Sequence, residues 1–364
     1  MSLTIAITGV NAVESPGPGV AVARSLMAQG GQDYRLIALG YDAIDPGLFD
    51  RELFRAGYLL PYPREGREAL QQRLDEIRQR TPIDIIIPTL DSEIAHFAGL
   101  EAELRESGTR MFIPTTAQIE ARSKANLAEL GRKFDFAVPR TVTVHHLADL
   151  EAALREVGFP LLVKGIYYDA YICHDQPQAL SYARLLANKW GYPLLVQEYI
   201  QGEEFNAAAL GGGDGGIVSA LCMKKILLTD KGKGWAGVSI RNEQLLDLTR
   251  RFISATRWRG ALEMETLLAR RDQKLYILEI NPRFPAWIYL GVAAEINLPA
   301  HYVDLARGRK LEPVNDYQVG KLFTHYTIDL IGEISQLDSL LSRGEIHYPE
   351  TNPVQHSTDE GPTS

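Results

Sequence analysis

The sequence predicts an α/β domain with a doubly wound parallel sheet, followed by an α+β region built on antiparallel strands. Three observations support this fold class. Apolar strand patterns alternate with helix patterns up to residue 114, the alternation then stops, and a glycine-rich turn near residue 211 joins two apolar runs. The chain has 364 residues, of which 45% are hydrophobic, and this favours two or three domains with well-filled cores.

Composition limits the class of protein. A net charge of −8 argues against a nucleic-acid partner, which requires a basic surface. The two cysteines, Cys173 and Cys222, are too few for a disulfide scaffold and suit a reducing compartment. The start has no basic leader, and no apolar run reaches the roughly 20 residues that span a bilayer. We therefore expect a cytoplasmic protein without a membrane partner, and a homodimer if it is oligomeric.

Residues 1–114 are predicted to form the α/β domain, because short apolar runs and amphipathic runs follow one another there. The loop from Gly9 to Gly19 lies between a strand and a helix but lacks the G-x-G-x-x-G spacing of dinucleotide sites, which favours an ordinary turn or a small-ligand loop. The predicted strands are Leu3–Thr8, Tyr34–Leu39, Ile83–Pro88 and Arg110–Ile113, and the predicted helices are Val20–Gln29, Arg67–Arg80 and Glu93–Ser107.

Beyond residue 114 the pattern is that of an antiparallel sheet with helices. The glycine-rich segment Gly211–Gly216 lies between two strands and lacks the Lys-Ser/Thr pair of a P-loop, so we interpret it as a hairpin turn. The predicted helices are Ser123–Lys133, Gln178–Trp190 and Gln244–Ala255, and the predicted strands are Pro160–Lys164, Leu194–Tyr199, Phe205–Leu210, Ile217–Met223, Ala261–Ala269 and Lys274–Asn281.

The last two predicted strands carry the strongest chemical signal. Side chains alternate between the faces of a strand, so Glu263 and Glu265 share one face of the first strand, as Glu279 and Asn281 do on the second. If the two strands form a hairpin, Glu265 lies opposite Glu279 and Glu263 opposite Asn281. Three carboxylates and an amide would then converge, which favours a hard cation such as Mg²⁺. The alternative is a solvated outer face, but Arg283 adds a phosphate-binding side chain just beyond the carboxylates.

Four segments together resemble the motifs of ATP-grasp enzymes, in the order that the family has them. Ile277–Arg283, preceded by Glu265, resembles the metal-binding signature, in the form found in carbamoyl-phosphate synthase and biotin carboxylase. The other three segments are Ser123–Leu130 with Ala137–Pro139, similar to the first lysine helix, Gly158–Lys164, similar to the second lysine strand, and Leu195–Glu204, similar to the hinge that holds adenine and ribose.

The resemblance implies an ATP-grasp fold of two α+β subdomains after the N-terminal domain. We expect residues 115–195 to form the small lid subdomain and residues 196–310 the large subdomain with the metal site. Residues 311–350 would be a C-terminal extension and residues 351–364 a flexible tail.

The resemblance also implies a role for each matching residue. It assigns ATP phosphates to Lys124 and Lys164, the nucleotide to Lys225, adenine to Gln197, Glu198, Tyr199 and Ile200, and ribose hydroxyls to Glu204. It assigns Mg²⁺, or Mn²⁺ in its place, to Glu265, Glu279 and Asn281, with Glu263 as an additional carboxylate. Arg283 and Lys164 would be catalytic, because they stabilise charge on the transferring phosphoryl group.

One segment departs from the family pattern. The family follows its second lysine with a glycine-rich loop that covers the phosphates, but Gly165–Cys173 has one glycine and three tyrosines. Either the backbone amides of this segment do the same work, or the lid is elsewhere. The basic, glycine-rich stretch Thr229–Gly237, with Lys231 and Lys233, is a candidate.

Two further segments are candidates for the second substrate. Asp91 and Glu93 follow a buried strand, where doubly wound sheets bind ligands, so they could meet an amine; equally, Asp91 or Ser92 could cap the next helix. The aromatic stretch Phe284–Tyr289 follows the phosphate-binding arginine and would be either core or part of an acyl-substrate site.

These observations predict a ligase that uses ATP and Mg²⁺. A carboxylate of a small molecule or peptide would be activated as an acyl phosphate and then attacked by an amine, or by a thiol, with release of ADP and phosphate. Within the same class, the acid could be bicarbonate. The alternative from another class is a non-catalytic Mg-ATP-binding sensor or partner module of the same fold, which the atypical segment after Lys164 motivates.

Overall fold

The computed structural model describes residues 2–13, 15–30, 33–124, 126–165, 169–229, 232–314 and 316–349. These residues form three sheets, of five, four and six strands. In the described part of the chain, no helix is long and apolar enough to cross a membrane.

The N-terminal sheet is parallel across four strands, as predicted. Its strands are β1 (Leu3–Ile7), β2 (Tyr34–Gly40), β3 (Ala56–Leu59) and β4 (Ile85–Ile87), and its helices are α1 (Pro18–Met27), α2 (Arg67–Arg80) and α3 (Ile94–Glu106). The strand order is β3-β2-β1-β4, so the chain reverses its direction of winding between β1 and β4. The loops that follow these two strands therefore flank the crevice where such sheets bind ligands.

The predicted strand Arg110–Ile113 is wrong. Its single ladder contact is a bridge between Arg110 and Ile85. The next backbone groups are bonded to side chains instead: the hydroxyl of Tyr302 accepts from the amide of Phe112, and Arg259 donates to the carbonyls of Met111 and Ile113. The segment thus joins the N-terminal domain to the rest of the chain rather than extending the sheet.

The four-stranded sheet is antiparallel throughout, in the order β5-β8-β6-β7. Its strands are β5 (Thr141–Val144), β6 (Leu161–Gly165), β7 (Ala170–Cys173) and β8 (Leu194–Glu198), and its helices are α6 (Leu150–Val157) and α7 (Gln176–Trp190). Buried leucine and alanine side chains of both helices pack on one face of the sheet. We call this unit the small sheet.

Two short helices, α4 (Thr116–Ala121) and α5 (Leu127–Phe134), precede the small sheet. The helix predicted from Ser123 begins only at Leu127, because Ser123 and Lys124 lie in the turn between α4 and α5. Leu127 and Leu130 pack into the core beneath the six-stranded sheet.

The six-stranded sheet, called the large sheet below, has the order β13-β12-β9-β10-β11-β14 and is antiparallel throughout. Its strands are β9 (Gly202–Gly212), β10 (Ile217–Leu228), β11 (Gly234–Ile240), β12 (Arg259–Ala269), β13 (Leu275–Asn281) and β14 (Leu322–Thr324). The helices of this half are α8 (Glu243–Thr256), α9 (Leu290–Ala293), α10 (Leu298–Ala306) and α11 (Ile334–Arg343). The glycine-rich hairpin turn between β9 and β10 is confirmed.

Strand alternation buries both faces of the large sheet. Ala207 and Ala209 of β9 pack into the core that contains α8, whereas Ala208 and Leu210 belong to the core of the N-terminal domain. Near the C-terminus, β15 (Glu345–His347) adds an antiparallel edge strand to β3. The N-terminal domain is therefore tied to the chain through both its core and its edge.

The predicted hairpin register is confirmed. Glu265 of β12 lies opposite Glu279 of β13, and Glu263 lies opposite Asn281. A bulge follows between Glu265 and Thr266, after which the register shifts.

Candidate functional site

A cavity of about 160 Å³ lies between the small sheet and the large sheet. Polar side chains from both sheets converge on it, and a further lysine comes from the turn before α5. Its polar lining residues are Lys124, Thr141, Lys164, Gln197, Glu204, Lys225, Glu265 and Glu279. Five of these eight are predicted nucleotide residues, two, Glu265 and Glu279, are predicted metal ligands, and Thr141 was not predicted.

The cavity also has an apolar part, which the sequence did not reveal. Its lining residues are Leu127, Ala128, Val138, Pro139, Leu195 and Leu278. A flat apolar ring such as adenine requires such a surface beside a few polar groups. Pattern reasoning missed these side chains because an apolar residue in a helix, loop or strand looks the same in the sequence whether it lines a core or a cavity.

On the small-sheet wall, Lys164 has a neutral partner. Its Nζ donates to Oε1 of Gln197 at 2.6 Å, and Nε2 of Gln197 donates to Oγ1 of Thr141 at 2.9 Å. Burial and the positive charge of Lys124 together lower the pKa of Lys164 to about 8, against the opposing effect of nearby glutamates. Within the described chain, no carboxylate lies within ion-pair distance of this lysine, so the wall offers a cation to an anionic ligand.

On the large-sheet wall, Lys225 is already neutralised. Its Nζ contacts Oε2 of Glu204 at 2.8 Å and Oε2 of Glu265 at 3.0 Å. Burial alone would lower the pKa of Lys225, but the two carboxylates outweigh it and raise this pKa. The lysine holds together three neighbouring strands, β9, β10 and β12.

The two facing glutamates differ in their charge environment. The pKa of Glu265 is lowered, because Lys225 and hydrogen bonds outweigh the effect of burial. The pKa of Glu279 is raised, chiefly by burial and by the nearby charges of Glu265 and Asp91, against the opposing charge of Lys124. Nζ of Lys124 lies 3.3 Å from Oε1 of Glu279. A buried carboxylate beside another carboxylate is an environment that a bound cation would relieve.

The expectation that three carboxylates converge is wrong. Glu263 is buried, and it accepts hydrogen bonds from Nδ2 of Asn206 at 2.8 Å, Nε1 of Trp287 at 2.8 Å and Nη1 of Arg283 at 2.9 Å. Among the described residues, no group of three acidic, histidine or cysteine side chains is placed to hold a metal ion. Nδ2 of Asn281 links the two regions, donating to Glu263 at 3.2 Å and to Glu265 at 3.1 Å.

Arg283 joins β13 to the N-terminal domain. Its Nε donates to Oδ2 of Asp91 at 2.9 Å, while Nη1 of Arg122 lies 3.3 Å from Oδ1 of the same carboxylate. Arg122 also donates to the carbonyl of Ile280 at 3.2 Å. The sequence placed Arg283 at the site but missed Arg122, although it lies two residues before the predicted lysine, Lys124.

Glu93 lies inside the N-terminal domain. Its carboxylate is fully buried and accepts hydrogen bonds from the hydroxyls of Thr8 and Tyr41, from the amide of Thr89 at 3.0 Å and from that of Leu90 at 2.9 Å. Burial raises the pKa of Glu93, and these donors oppose the rise. Its carboxylate therefore ties together the loops that follow β1, β2 and β4. Phe284 and Trp287, from the predicted aromatic stretch, are also buried.

Of the four hinge residues, Gln197 lines the cavity through its side chain. The Glu198 carboxylate accepts from Arg271 and from the Arg140 amide at 3.3 Å, and its own amide donates to the Arg140 carbonyl at 2.8 Å. Ile200 is buried and Tyr199 partly buried.

The two candidate lid segments fall partly outside the described residues. Residues 166–168 and Lys231 lie outside them, and Ala170–Cys173 form β7. Lys233 is exposed in the turn between β10 and β11, where its carbonyl accepts from the Thr229 amide at 2.8 Å. Gly232 of the same turn lines the cavity.

This arrangement, with an N-terminal parallel sheet and a cavity between two antiparallel sheets, is the ATP-grasp fold. The biotin carboxylase domain dimer of Hydrogenobacter thermophilus 2-oxoglutarate carboxylase, solved with ADP, its magnesium salt and bicarbonate, matches 86% of this chain and 71% of its own, with a TM-score of 0.67 and 14% identity. An L-amino acid ligase from Bacillus licheniformis matches 85% of this chain and 79% of its own, with a TM-score of 0.62 and 15% identity. These similarities confirm the predicted fold.

Sequence comparison agrees with the fold. Residues 191–325 match the family model described as ATP-grasp in the biosynthetic pathway with Ter operon. Over 224 residues the chain is 25% identical to the carbamoyl phosphate synthase large chain of Archaeoglobus fulgidus, a match that takes up 57% of this chain and 21% of that relative. The chain thus spans about a fifth of the relative's length. The matched residues 191–325 include two of the four motif segments, Leu195–Glu204 and Ile277–Arg283.

Proposed function

We propose that the chain is a ligase that uses ATP and Mg²⁺ to activate a carboxylate as an acyl phosphate and then joins the acyl group to an amine, or to a thiol. The observation that carries this proposal is the cavity between the two sheets, in which Lys164 has no carboxylate partner among the described residues while Glu265 and Glu279 face each other. The match to a ligase of the same fold and the solved complex with MgADP support it.

The nucleotide would lie across the two halves of the cavity. Its adenine would contact the apolar part near Leu195 and Leu278, at the start of the hinge segment Leu195–Glu204. Its ribose hydroxyls would bind Glu204, whose carboxylate Lys225 holds in place. Its phosphates would reach Lys164 and Lys124, and a charged lysine next to phosphate oxygens is a favourable interaction in a site with little water. Lys225 would also contact the nucleotide, next to its ion pair with Glu204.

The donor set fits Mg²⁺, and Mn²⁺ equally. Mg²⁺ in enzymes takes one or two carboxylates and completes its ligands with water and substrate phosphates, which is the set that Glu265, Glu279 and the amide oxygen of Asn281 would provide. When bound, the ion would neutralise charge on the phosphate oxygens. Glu263 would act indirectly, since it holds the Arg283 guanidinium at 2.9 Å.

The reaction would have two steps. An oxygen of the acid attacks the γ-phosphorus of ATP, the bond between that phosphorus and the β–γ bridging oxygen breaks, and ADP leaves. The amine nitrogen then attacks the acyl carbon, the bond to the phosphate oxygen breaks, and phosphate leaves as the nitrogen loses a proton. Arg283 and Lys164 would stabilise the charge that develops on the transferring phosphoryl group, and no residue becomes covalently modified.

Product analysis tests this proposal directly. Incubation of the protein and Mg-ATP with pools of carboxylic acids and amines should release ADP and phosphate in amounts that depend on both pools. Release of AMP and pyrophosphate would contradict the acyl-phosphate route. Tight Mg-ATP binding without nucleotide release in any pool would favour the non-catalytic sensor instead.

A pair of matched variants tests the role of the metal-facing carboxylates. Glu279→Gln should reduce ADP release at least 100-fold, because it removes charge opposite Glu265, while Mg-free ADP should bind within about threefold of the wild type. The control is Glu203→Gln, since Glu203 lies exposed on β9 and pairs with Lys224 at 2.7 Å. Equal loss of ADP release in both variants would show that Glu279 has no special role.

A further inference from the structure

One carboxylate is shared by two arginines at the edge of the site. Oδ1 of Asp91 lies 3.3 Å from Nη1 of Arg122, and Oδ2 lies 2.9 Å from Nε of Arg283. The three side chains come from different parts of the fold: the loop after β4, the end of α4 and the segment after β13. Two guanidinium groups that share one carboxylate form a strong binding site for an anion.

The Arg122 side chain is poorly satisfied for a buried cation. Its side chain is 13% exposed, and its buried Nε has no hydrogen-bond partner among the described residues. Burial lowers the pKa of Arg122, and the charges of Asp91 and Glu279 oppose this. Its one ion pair in the described chain, to Asp91, is long for a charge-assisted hydrogen bond. Arg122 therefore has unused capacity to bind an anion.

The Asp91 side chain is the most accessible of the three. It is 38% exposed, compared with 17% for Arg283 and 13% for Arg122. Asp91 lies in the loop after β4, beside the crevice where the strand order reverses. A solvent-facing aspartate can turn away from the arginines into water, whereas the two arginines are held by Glu263 and by the carbonyl of Ile280.

The location suits the acid substrate. Arg283 follows β13 four residues after Glu279, and the charge of Asp91 raises the pKa of Glu279, so the cluster lies within electrostatic reach of the candidate metal ligands. An acid that accepts a phosphoryl group must place its carboxylate next to the nucleotide phosphates.

We propose that Arg122 and Arg283 together bind the carboxylate of the acid substrate, and that Asp91 occupies this position until the substrate displaces it. This inference rests on the proposed function, which identifies the bound anion as the acid substrate. Arg122 is then a substrate-binding residue, and Asp91 sets the affinity by competing for the same two guanidinium groups.

Two substitutions within the same ion pair should change anion affinity in opposite directions. The probe is carboxyl-labelled acetate, titrated at constant ionic strength without nucleotide and followed by its NMR line width. Asp91→Asn should bind acetate about tenfold more tightly than the wild type, because the competing charge is gone. Arg122→Gln should bind it at least tenfold more weakly, because one charged donor is lost.

The matched control is the pair formed by Arg309 and Asp304, which has the same residue types at 2.8 Å. Its charges act on Tyr34, the first residue of β2, and therefore lie at the N-terminal ends of the parallel strands, whereas Asp91 follows the C-terminal end of β4. Arg309→Gln and Asp304→Asn should leave acetate affinity unchanged.

A purely structural ion pair would behave differently. Loss of either partner would then lower the unfolding temperature, with acetate affinity unchanged or reduced in both variants, and that result would overturn the proposal. Absence of saturable acetate binding by both the wild type and Asp91→Asn would overturn it as well. Because nucleotide is absent from the titration, failure of MgADP to bind in a separate experiment would count against the proposed function and not against the anion site.

Discussion

The two walls of the cavity each present one buried lysine, and only the wall formed by the large sheet neutralises its charge. On the small sheet, Lys164 donates to the neutral amide of Gln197, and its pKa falls to about 8. On the large sheet, Lys225 lies between Glu204 and Glu265, and its pKa rises. A buried lysine therefore has a different role on each wall, and the role depends on whether its partner is a neutral amide or a carboxylate.

The difference separates a binding residue from a positioning residue. A cation without a counter-charge is costly to bury, and the protein recovers this cost only when an anion such as a phosphate binds. A cation between two carboxylates is stable in the empty protein and fixes the carboxylates in place. We therefore expect that removing Lys164 reduces nucleotide binding but raises the free energy of unfolding. Removing Lys225 should lower the free energy of unfolding.

The largest effect on stability should come from Lys225→Met. It leaves Glu204 and Glu265 close together without their shared cation, which should lower the free energy of unfolding by about 2–4 kcal/mol. Urea unfolding at neutral pH measures this. The control is Lys224→Met on the same strand, since its ion pair with Glu203 is exposed on both sides and should contribute less than about 1 kcal/mol. Equal losses in the two variants would remove the distinction between the walls.

Lys164→Met should have the opposite sign. It removes a buried cation whose pKa lies below the ordinary value of 10.5, so the free energy of unfolding should rise by about 1–2 kcal/mol, after allowance for the hydrogen-bond donor that Gln197 loses. The gain should shrink between about pH 8 and 10.5, because there the folded wild type has lost the proton that its unfolded chain still binds. Destabilisation of this variant at pH 7, measured by urea unfolding, would mean that Lys164 is well accommodated without a ligand.

Local patterns in the sequence were sufficient for the β12–β13 hairpin. Its two strands are joined by a short turn, and the polar residues of Glu263–Glu265 and Glu279–Asn281 alternate with apolar ones, so a simple hairpin predicts that Glu265 faces Glu279. The same alternation could not show the fate of Glu263. Its partners Arg283, Trp287 and Asn206 come from segments outside the hairpin, and they fold onto it only in the tertiary structure.

Contacts between distant segments could not be predicted from the sequence for the same reason. Asp91 lies in the loop after β4 and Arg122 at the end of α4, and no periodicity in either segment indicates the other. The edge strand β15 has three residues and pairs with β3, which is four residues long, so neither carries a strand pattern of its own. Arg110–Ile113 is apolar enough for a strand, but side chains of Tyr302 and Arg259 take up its backbone groups.

The smallest predicted effect is a pH dependence that sharpens the contrast between the walls. Phosphate binding requires protonated Lys164, so the affinity for MgADP should be constant below about pH 8 and fall by up to about tenfold per pH unit above it. Calorimetric titration from pH 6.5 to 9.5 measures this slope. Lys164→Arg should abolish it, because a guanidinium stays charged throughout that range. Lys225 titrates well above this range, so it cannot produce the slope. A slope that persists in Lys164→Arg would assign the titrating group elsewhere and leave Lys164 without its proposed role.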